Sequence, residues 1–295
     1  MPSSRPHKFD STITSPDPID WAALELPDAW PDHLNCFNPQ SFFLILAKLA
    51  GHSRARVILP PGLSGMERIP KYVLQEFHNL PNGNYSKSIC EGYAASFEPV
   101  MLGTLRYGRE RLARALAGAE CVVDLGCGSG GCIPFLRSVG INTIWGLDPS
   151  PYLLQLAAKS NPDARFIHGV GEEIPLPDSS IDGVNVSFVF HEIPPLYLQR
   201  VLYEIRRIIR QGGQLAVLEP ASTQWSSSAR ELWHDYGWRG IYFKWLARHA
   251  FEPFIPAWHK QDFLTLLHES GFDVLENDTG CPFRFVLAER KRPVR

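Results

Sequence analysis

The sequence predicts an α/β fold: a doubly wound, mostly parallel sheet of seven strands with an antiparallel last strand. A helical N-terminal cap precedes it, and an aromatic-rich lid insertion interrupts it late. Three observations carry this. From residue 121 onward, short β-rich runs alternate with helical stretches, the pattern of βαβ units with right-handed crossovers. The runs are nearly continuous in apolar residues, as strands buried on both faces must be. No crossover helix fits between the last two runs, "DVLEN" and "FRFVLAER", so these two are antiparallel neighbours.

Taken in order, residues 1–20 hold Pro2, Pro6, Pro16 and Pro18 among Ser, Thr and Asp and read as a flexible leader. Residues 21–115 read as the helical cap. "NPQSFFLILAKLAG" opens on Asn38 as N-cap with Pro39 at the first helical position, and Gly51 closes it. "MERIPKYVLQEFHNL" and "FEPVMLGTLRYGRERLARALAG" repeat apolar residues at three and four and are expected to be helices. Arg106, Arg109, Arg111 and Arg114 crowd the latter and read as a solvated face.

The α/β domain occupies 116–295. Its strands are expected at "CVVDL", "TIWGLD", "ARFIHG", "DGVNVSFVF", "QLAVLEP", "DVLEN" and "FRFVLAER". Its helices are expected at Cys132–Val139, "YLLQLAAKS", "LYLQRVLYEIRRIIR" and "KQDFLTLLHESGF". Segment 222–258 carries five of the eight tryptophans, Trp225, Trp233, Trp238, Trp245 and Trp258.

Composition narrows the function. With 29 basic and 31 acidic residues the formal charge is −2, and no basic stripe interleaved with aromatics points to nucleic acid. The longest apolar stretch, Phe42 to Ala50, is interrupted by Lys48 and falls far short of the roughly 20 residues that cross a bilayer. The N-terminus lacks the apolar core of a signal peptide, so a cytoplasmic location is expected. A small-molecule substrate is the expected partner, with no nucleic acid and no membrane, and a homodimer is compatible with the sequence.

Residues 121–132, "CVVDLGCGSGGC", hold three cysteines and four glycines. Cys121, Cys127 and Cys132 lack the C-x-x-C pairing of a chelating site. They read as packing residues, and no metal site is expected. The glycines form a turn between strand and helix, where backbone can approach a ligand closely. "GCGSGG" satisfies G-x-G-x-x-G as well as Gly126-x-Gly128-x-Gly130, so the turn alone does not choose between a dinucleotide and another cofactor. Asp124 narrows the choice. A carboxylate just before the turn repels pyrophosphate and suits a cationic ligand, such as the amino group and sulfonium of S-adenosylmethionine. Asp148 ends the next strand and suits two ribose hydroxyls, which NAD sites share.

Together "VVDLGCGSG" and "IWGLDPS" resemble motif I and the following acidic motif of class I S-adenosylmethionine-dependent methyltransferases, which are Rossmann-like. "RFIHGVGEEIPLPDSSIDGV", "VNVSFVFHEIP" and "IIRQGGQLAVLEP" are similar in order to the third strand with its adenine loop, the fourth strand and the fifth of the UbiE-like (methyltransferase type 11) group. The resemblance covers about 116–295 and implies S-adenosylmethionine as cofactor, held by Asp124, Gly126, Cys127, Gly128, Gly130, Asp148 and Phe188. Val170 stands where members often carry an adenine-binding Asp. Adenine is then expected against Val170 and the backbone of Gly171 and Glu172, with Pro149 on its other face.

Methyl transfer from a sulfonium is a displacement that alignment and desolvation can drive, with a base needed only for an acceptor that holds its proton. His191 is the expected base, with Glu219 a second choice and Glu192 read as a helix cap that could also act there. Tyr93, His191, Trp225, Trp233 and Tyr236 are the expected substrate contacts. The resulting expectation is a methyltransferase for a small, partly hydrophobic acceptor at O, N or C. A catalytically silent binding protein and an NAD(P)-dependent oxidoreductase are the alternatives.

Overall fold

Near-continuous apolar strands need cover on both sides, and the chain supplies it. The computed structural model describes residues 19–35, 38–52 and 55–292; the expected leader lies outside them except for its last two residues. The strands are β1 (Cys121–Leu125), β2 (Thr143–Asp148), β3 (Arg165–His168), β4 (Ile181–Ser187), β5 (Ile209–Pro220), β6 (Phe272–Thr279) and β7 (Phe283–Arg290). They form one sheet in the order β3-β2-β1-β4-β5-β7-β6. β1 to β5 pair in parallel, and β7 runs antiparallel to both β5 and β6. The expected seven strands and antiparallel ending are both present.

The helices are α1 (Pro39–Leu49), α2 (Lys87–Val100), α3 (Thr104–Ala115), α4 (Ile133–Ser138), α5 (Pro151–Ser160), α6 (Pro195–Ile208), α7 (Thr223–Ser226), α8 (Ala229–His249), α9 (Ile255–Trp258) and α10 (Phe263–Glu269). Successive strand residues point to opposite faces. Val123 and Leu125 therefore join Val201, Leu202 and Ile205 of α6 in one layer, while Val122 joins Leu112, Ile133 and Leu154 of α3, α4 and α5 in the other. Caps are local and follow the sequence: Asn38, Ser150 and Asp262 each accept a hydrogen bond from the first turn of their helices.

Two expectations for the cap are corrected. Residues 66–80 contain no α-helix, only a 3-10 turn at Phe77–Asn79. Pro70 interrupts the run, and its Glu76 side chain ties the backbone of flanking segments. Glu76 accepts from the backbone N–H of Ala55 (2.8 Å) and Asn82 (3.1 Å), and Asn82 accepts from the N–H of Ile58 at 2.7 Å. The expected helix over 97–118 is two, because Leu102 (φ 53°) and Gly103 (φ 73°) turn the chain between α2 and α3. α3 lies in the sheet's own helical layer, so the boundary drawn at 115 does not separate a cap from the sheet. What does sit over the strand ends is the segment through α2. There Leu26, Val57, Tyr85 and Cys90 pack on Tyr152 and Leu153 of α5.

The cap has a charged centre. Lys48 Nζ donates to both oxygens of Glu76 (3.0 and 2.8 Å), and the two side chains are 10% and 3% exposed. Removing one partner of such a buried pair costs about 3–5 kcal/mol. Glu76→Ala is expected to lower unfolding free energy by about that amount in urea titration; a change under about 1 kcal/mol, the worth of an exposed pair, would show the pair is not structural.

Candidate functional site

Parallel strands deliver their C-terminal residues to one edge of the sheet, where open α/β folds bind ligands. A pocket at the ends of β1, β2 and β4 is lined by Asp124, Gly126, Gly128, Asp148, Val170 and Phe188, among others. The turn after β1 uses two glycines differently. Gly126 (φ 66°) would bring a Cβ within 2.4 Å of Val189, so its role is close packing against the loop after β4. A Cβ on Gly128 (φ 53°) would meet no atom within 4 Å, and Gly128 lines the pocket, so its bare Cα faces space a ligand can fill.

Two buried carboxyls stand beside this turn. Asp124 Oδ1 accepts from Asn185 Nδ2 at 2.6 Å, while Oδ2 is buried and accepts nothing from the described protein. Asp148 Oδ2 accepts from the Gly128 N–H and Oδ1 from the Ser150 N–H, both at 2.8 Å. Burial pushes each carboxyl up to about 7, against hydrogen bonds that favour the charge. From the cap, Asn84 adds a buried Oδ1 with no partner. The pocket thus offers acceptors and asks for donors.

A second, more apolar cavity of about 340 Å³ adjoins it. Tyr93, Phe97, Phe188 and Glu192 line both. On its own side lie Phe243, Leu246, His78, His191 and Glu252. His191 is 1% exposed, and its Nδ1 is 2.6 Å from Glu219 Oε2. Glu219 also accepts from the backbone N–H of Val189, Phe190 and His191 (2.9, 2.8 and 3.3 Å). Burial opposes a charge on His191, but Glu252 and Glu219 outweigh it and hold the imidazole well above its usual range. Burial also opposes charge on Glu252, and His191 and His78 overcome it to hold that carboxyl well below the ordinary range.

The geometry can be set beside known proteins. A methyltransferase-domain family, type 11, matches residues 123–217, the run from β1 to β5 that builds the first pocket. Residues 123–217 are a methyltransferase domain. An uncharacterized methyltransferase of Synechocystis is 32% identical over 105 residues, covering 36% of this chain and 49% of its own. A demethylmenaquinone methyltransferase of Thermotoga maritima is 36% identical over 101 residues, covering 34% of this chain and 43% of its own. The chain thus spans about half the length of the curated relatives it matches. Among solved structures, a TehB-like methyltransferase of Corynebacterium glutamicum aligns over 69% of this chain and 99% of its own, with 18% identity and a TM-score of 0.49.

The cofactor of the methyltransferase domain is S-adenosyl-L-methionine, and the residues present suit it. An unpaired buried Asp124 oxygen matches an ammonium donor, the bare Gly128 gives room, and Val170 beside Pro149 gives apolar cover. Of the residues expected to hold the cofactor, Asp124, Gly126, Cys127, Gly128, Asp148, Pro149, Val170, Gly171 and Phe188 line the pocket; Gly130 and Glu172 do not. A Cβ on Gly130 would strike Asn161 Nδ2 at 2.5 Å, so this glycine serves packing. Glu172 accepts from the Tyr72 hydroxyl at 2.5 Å and ties the loop after β3 to the cap. Cys121, Cys127 and Cys132 are buried thiols, Cys121 and Cys132 pushed up to about 12 by burial.

Other expectations are corrected. His191 lines the apolar cavity and not the cofactor pocket, with its Nδ1 held by Glu219. Glu219 lines neither cavity and anchors the loop after β4. Glu192 does not cap α6, whose N-cap is Pro194 with no side-chain bond. Trp225, Trp233 and Tyr236 line neither cavity, although Tyr93 lines both. α8 bends at Gly237, and this leaves Trp233 62% exposed while Phe243 and Leu246 turn inward. The arginine face is solvated at Arg106 and Arg114 only. Arg109 lines the cofactor pocket and pairs with Glu98 at 3.0 Å, and Arg111 pairs with Glu276 and Asp278 of β6.

A carboxyl that titrates near 7 and is needed as an anion makes ligand affinity pH-dependent. Between pH 8 and pH 6 the affinity for S-adenosylmethionine is expected to fall by about tenfold for each of Asp124 and Asp148 that must ionise, measured by calorimetric titration. A flat profile would remove both as anchors. The stability sign is opposite. A carboxyl raised on folding adds stability below its unfolded range and loses it as pH rises through about 7. Asp124→Asn should therefore raise the ligand-free melting temperature at pH 8 while abolishing the shift that cofactor induces.

Proposed function

We propose that the protein moves the methyl group of S-adenosylmethionine onto a small, partly hydrophobic acceptor held in the apolar cavity, at an oxygen, nitrogen or carbon. The observation that carries this reading is the shared wall. Tyr93, Phe97, Phe188 and Glu192 separate an acceptor-rich cofactor pocket from a cavity lined mostly by apolar side chains. S-adenosylmethionine, when bound, would supply a methyl group already activated on a sulfonium.

The chain's own residues divide the remaining work. Asp124 takes the cationic amino group through its unpaired oxygen, Asp148 takes the ribose hydroxyls, and Val170 with Pro149 covers the adenine. Tyr93 and Phe188 exclude water from the shared wall, which leaves alignment and desolvation as the main source of rate. The relatives named demethylmenaquinone methyltransferase act, by name, on a quinone. An acceptor ring of that kind suits the apolar lining.

Titration with S-adenosylmethionine and, separately, with NAD(P) distinguishes this reading from an oxidoreductase. Asp148→Ala should weaken S-adenosylmethionine about ten- to hundredfold, the worth of hydrogen bonds to a charged group; unchanged affinity would sink the assignment. Leu246→Trp, which fills the apolar cavity, should leave cofactor affinity intact and abolish incorporation of labelled methyl into the acceptors found with a metabolite panel. If no acceptor in a broad panel incorporates label, the silent binding protein gains.

A further inference from the structure

The ionisable groups around the apolar cavity meet at distances longer than those of closed hydrogen bonds. Glu252 Oε1 lies 3.4 Å from His78 Nε2 and 3.6 Å from His191 Nε2, and Glu192 Oε1 lies 3.4 Å from His78 Nε2. A charge-assisted hydrogen bond between imidazole and carboxylate closes to about 2.7–2.9 Å, as His191 Nδ1 does with Glu219 at 2.6 Å. Two ligands at about 2.0–2.1 Å from a tetrahedral zinc ion stand about 3.3–3.4 Å apart. The Glu252 to His78 distance matches such a ligand edge, and the Glu252 to His191 distance is 0.2 Å longer.

We propose that His78, His191 and Glu252 are the protein ligands of a divalent transition-metal ion at the wall of the apolar cavity. Their ligand atoms all lie within 4.8 Å of one another. Two imidazoles and one carboxylate, with a fourth position left open, are a donor set of catalytic zinc and related first-row ions.

The surroundings hold these three in place. Glu219 fixes His191 through Nδ1, which leaves Nε2 directed at the site, buried and without a hydrogen-bond partner. An outer carboxylate of this kind sets the tautomer and orientation of metal-bound histidines. His78 sits in left-handed backbone (φ 55°), a strained conformation that persists only where its surroundings impose it. Its N–H donates to Phe251 O at 2.8 Å, and Asn79 Nδ2 donates to His249 O at 2.9 Å, so the 78–79 turn is stapled beside Glu252. Glu192, Glu219 and Glu252 converge on the two imidazoles, three carboxyl groups around two rings.

The open position faces the cavity assigned to the acceptor, so the ion would take an oxygen donor of that acceptor, a hydroxyl or carbonyl. This last point rests on the methyl-transfer reading; the metal site does not. Metal-free protein is titrated with Zn²⁺ alone against a chromophoric chelator, with no acceptor present. One equivalent should bind. His78→Ala and Glu252→Gln should each weaken it by at least about 100-fold, since even outer hydrogen-bond partners are worth about 10- to 100-fold. His78→Cys, which restores a ligand, should recover most of the affinity. Thermal unfolding and S-adenosylmethionine titration of the same variants report folding and the neighbouring pocket separately. Should a variant fail to fold, the Co²⁺-loaded wild type decides through its d–d spectrum. Tetrahedral bands with nitrogen and oxygen ligands uphold the site, and the spectrum of aqueous Co²⁺ overturns it. Absence of stoichiometric Zn²⁺ binding, or equal binding by wild type and variants, also overturns it.

Discussion

Glu219 is the contact on which the working end of this protein depends. One buried carboxylate at the end of β5 accepts three consecutive backbone N–H groups, from Val189, Phe190 and His191, and the His191 imidazole as well. Donors that share one anion are costly to leave unmade. The loop after β4 therefore has one arrangement. That arrangement presses Val189 against Gly126 and sets Phe188 (φ 60°) between two cavities. It also turns His191 away from the cofactor side. Pocket, wall and histidine cluster thus share one anchor.

The two cavities differ in what they lack. The cofactor pocket holds buried acceptor atoms of Asp124 and Asn84 that meet no donor, and Arg109 is the one lysine or arginine among its lining residues. Such a pocket is unfavourable alone and becomes favourable with a donor-rich cation inside. The second cavity has an apolar lining with charge gathered at one wall. The first selects by unsatisfied hydrogen bonds, the second by shape and by whatever its charged wall can bind.

Legibility in the sequence followed the range of the interactions. Strand runs, the cap at Asn38, the glycine turn and the acids Asp124 and Asp148 all work within a few residues of themselves, so spacing displays them. Residues 66–80 imitate helical spacing, yet Pro70 interrupts them and the Glu76 side chain is spent on the backbone of Ala55 and Asn82, and periodicity does not see such long-range side-chain contacts. The aromatic insertion showed its content but not its phase. Gly237 bends α8, and only the fold reveals that Phe243 rather than Trp233 points inward. His78 and Glu252 sit far apart in the chain and carry no local motif, so their meeting at His191 was out of reach.

The wall shared by Tyr93, Phe97, Phe188 and Glu192 has a thermodynamic consequence. A ligand that shifts any of these side chains in one cavity alters the shape offered by the other. Binding free energies are linked reciprocally, so a cofactor that tightens the acceptor must itself be tightened by the same factor. Two sites divided by four side chains behave as one coupled equilibrium, and the order in which ligands arrive and leave becomes a property of the partition itself.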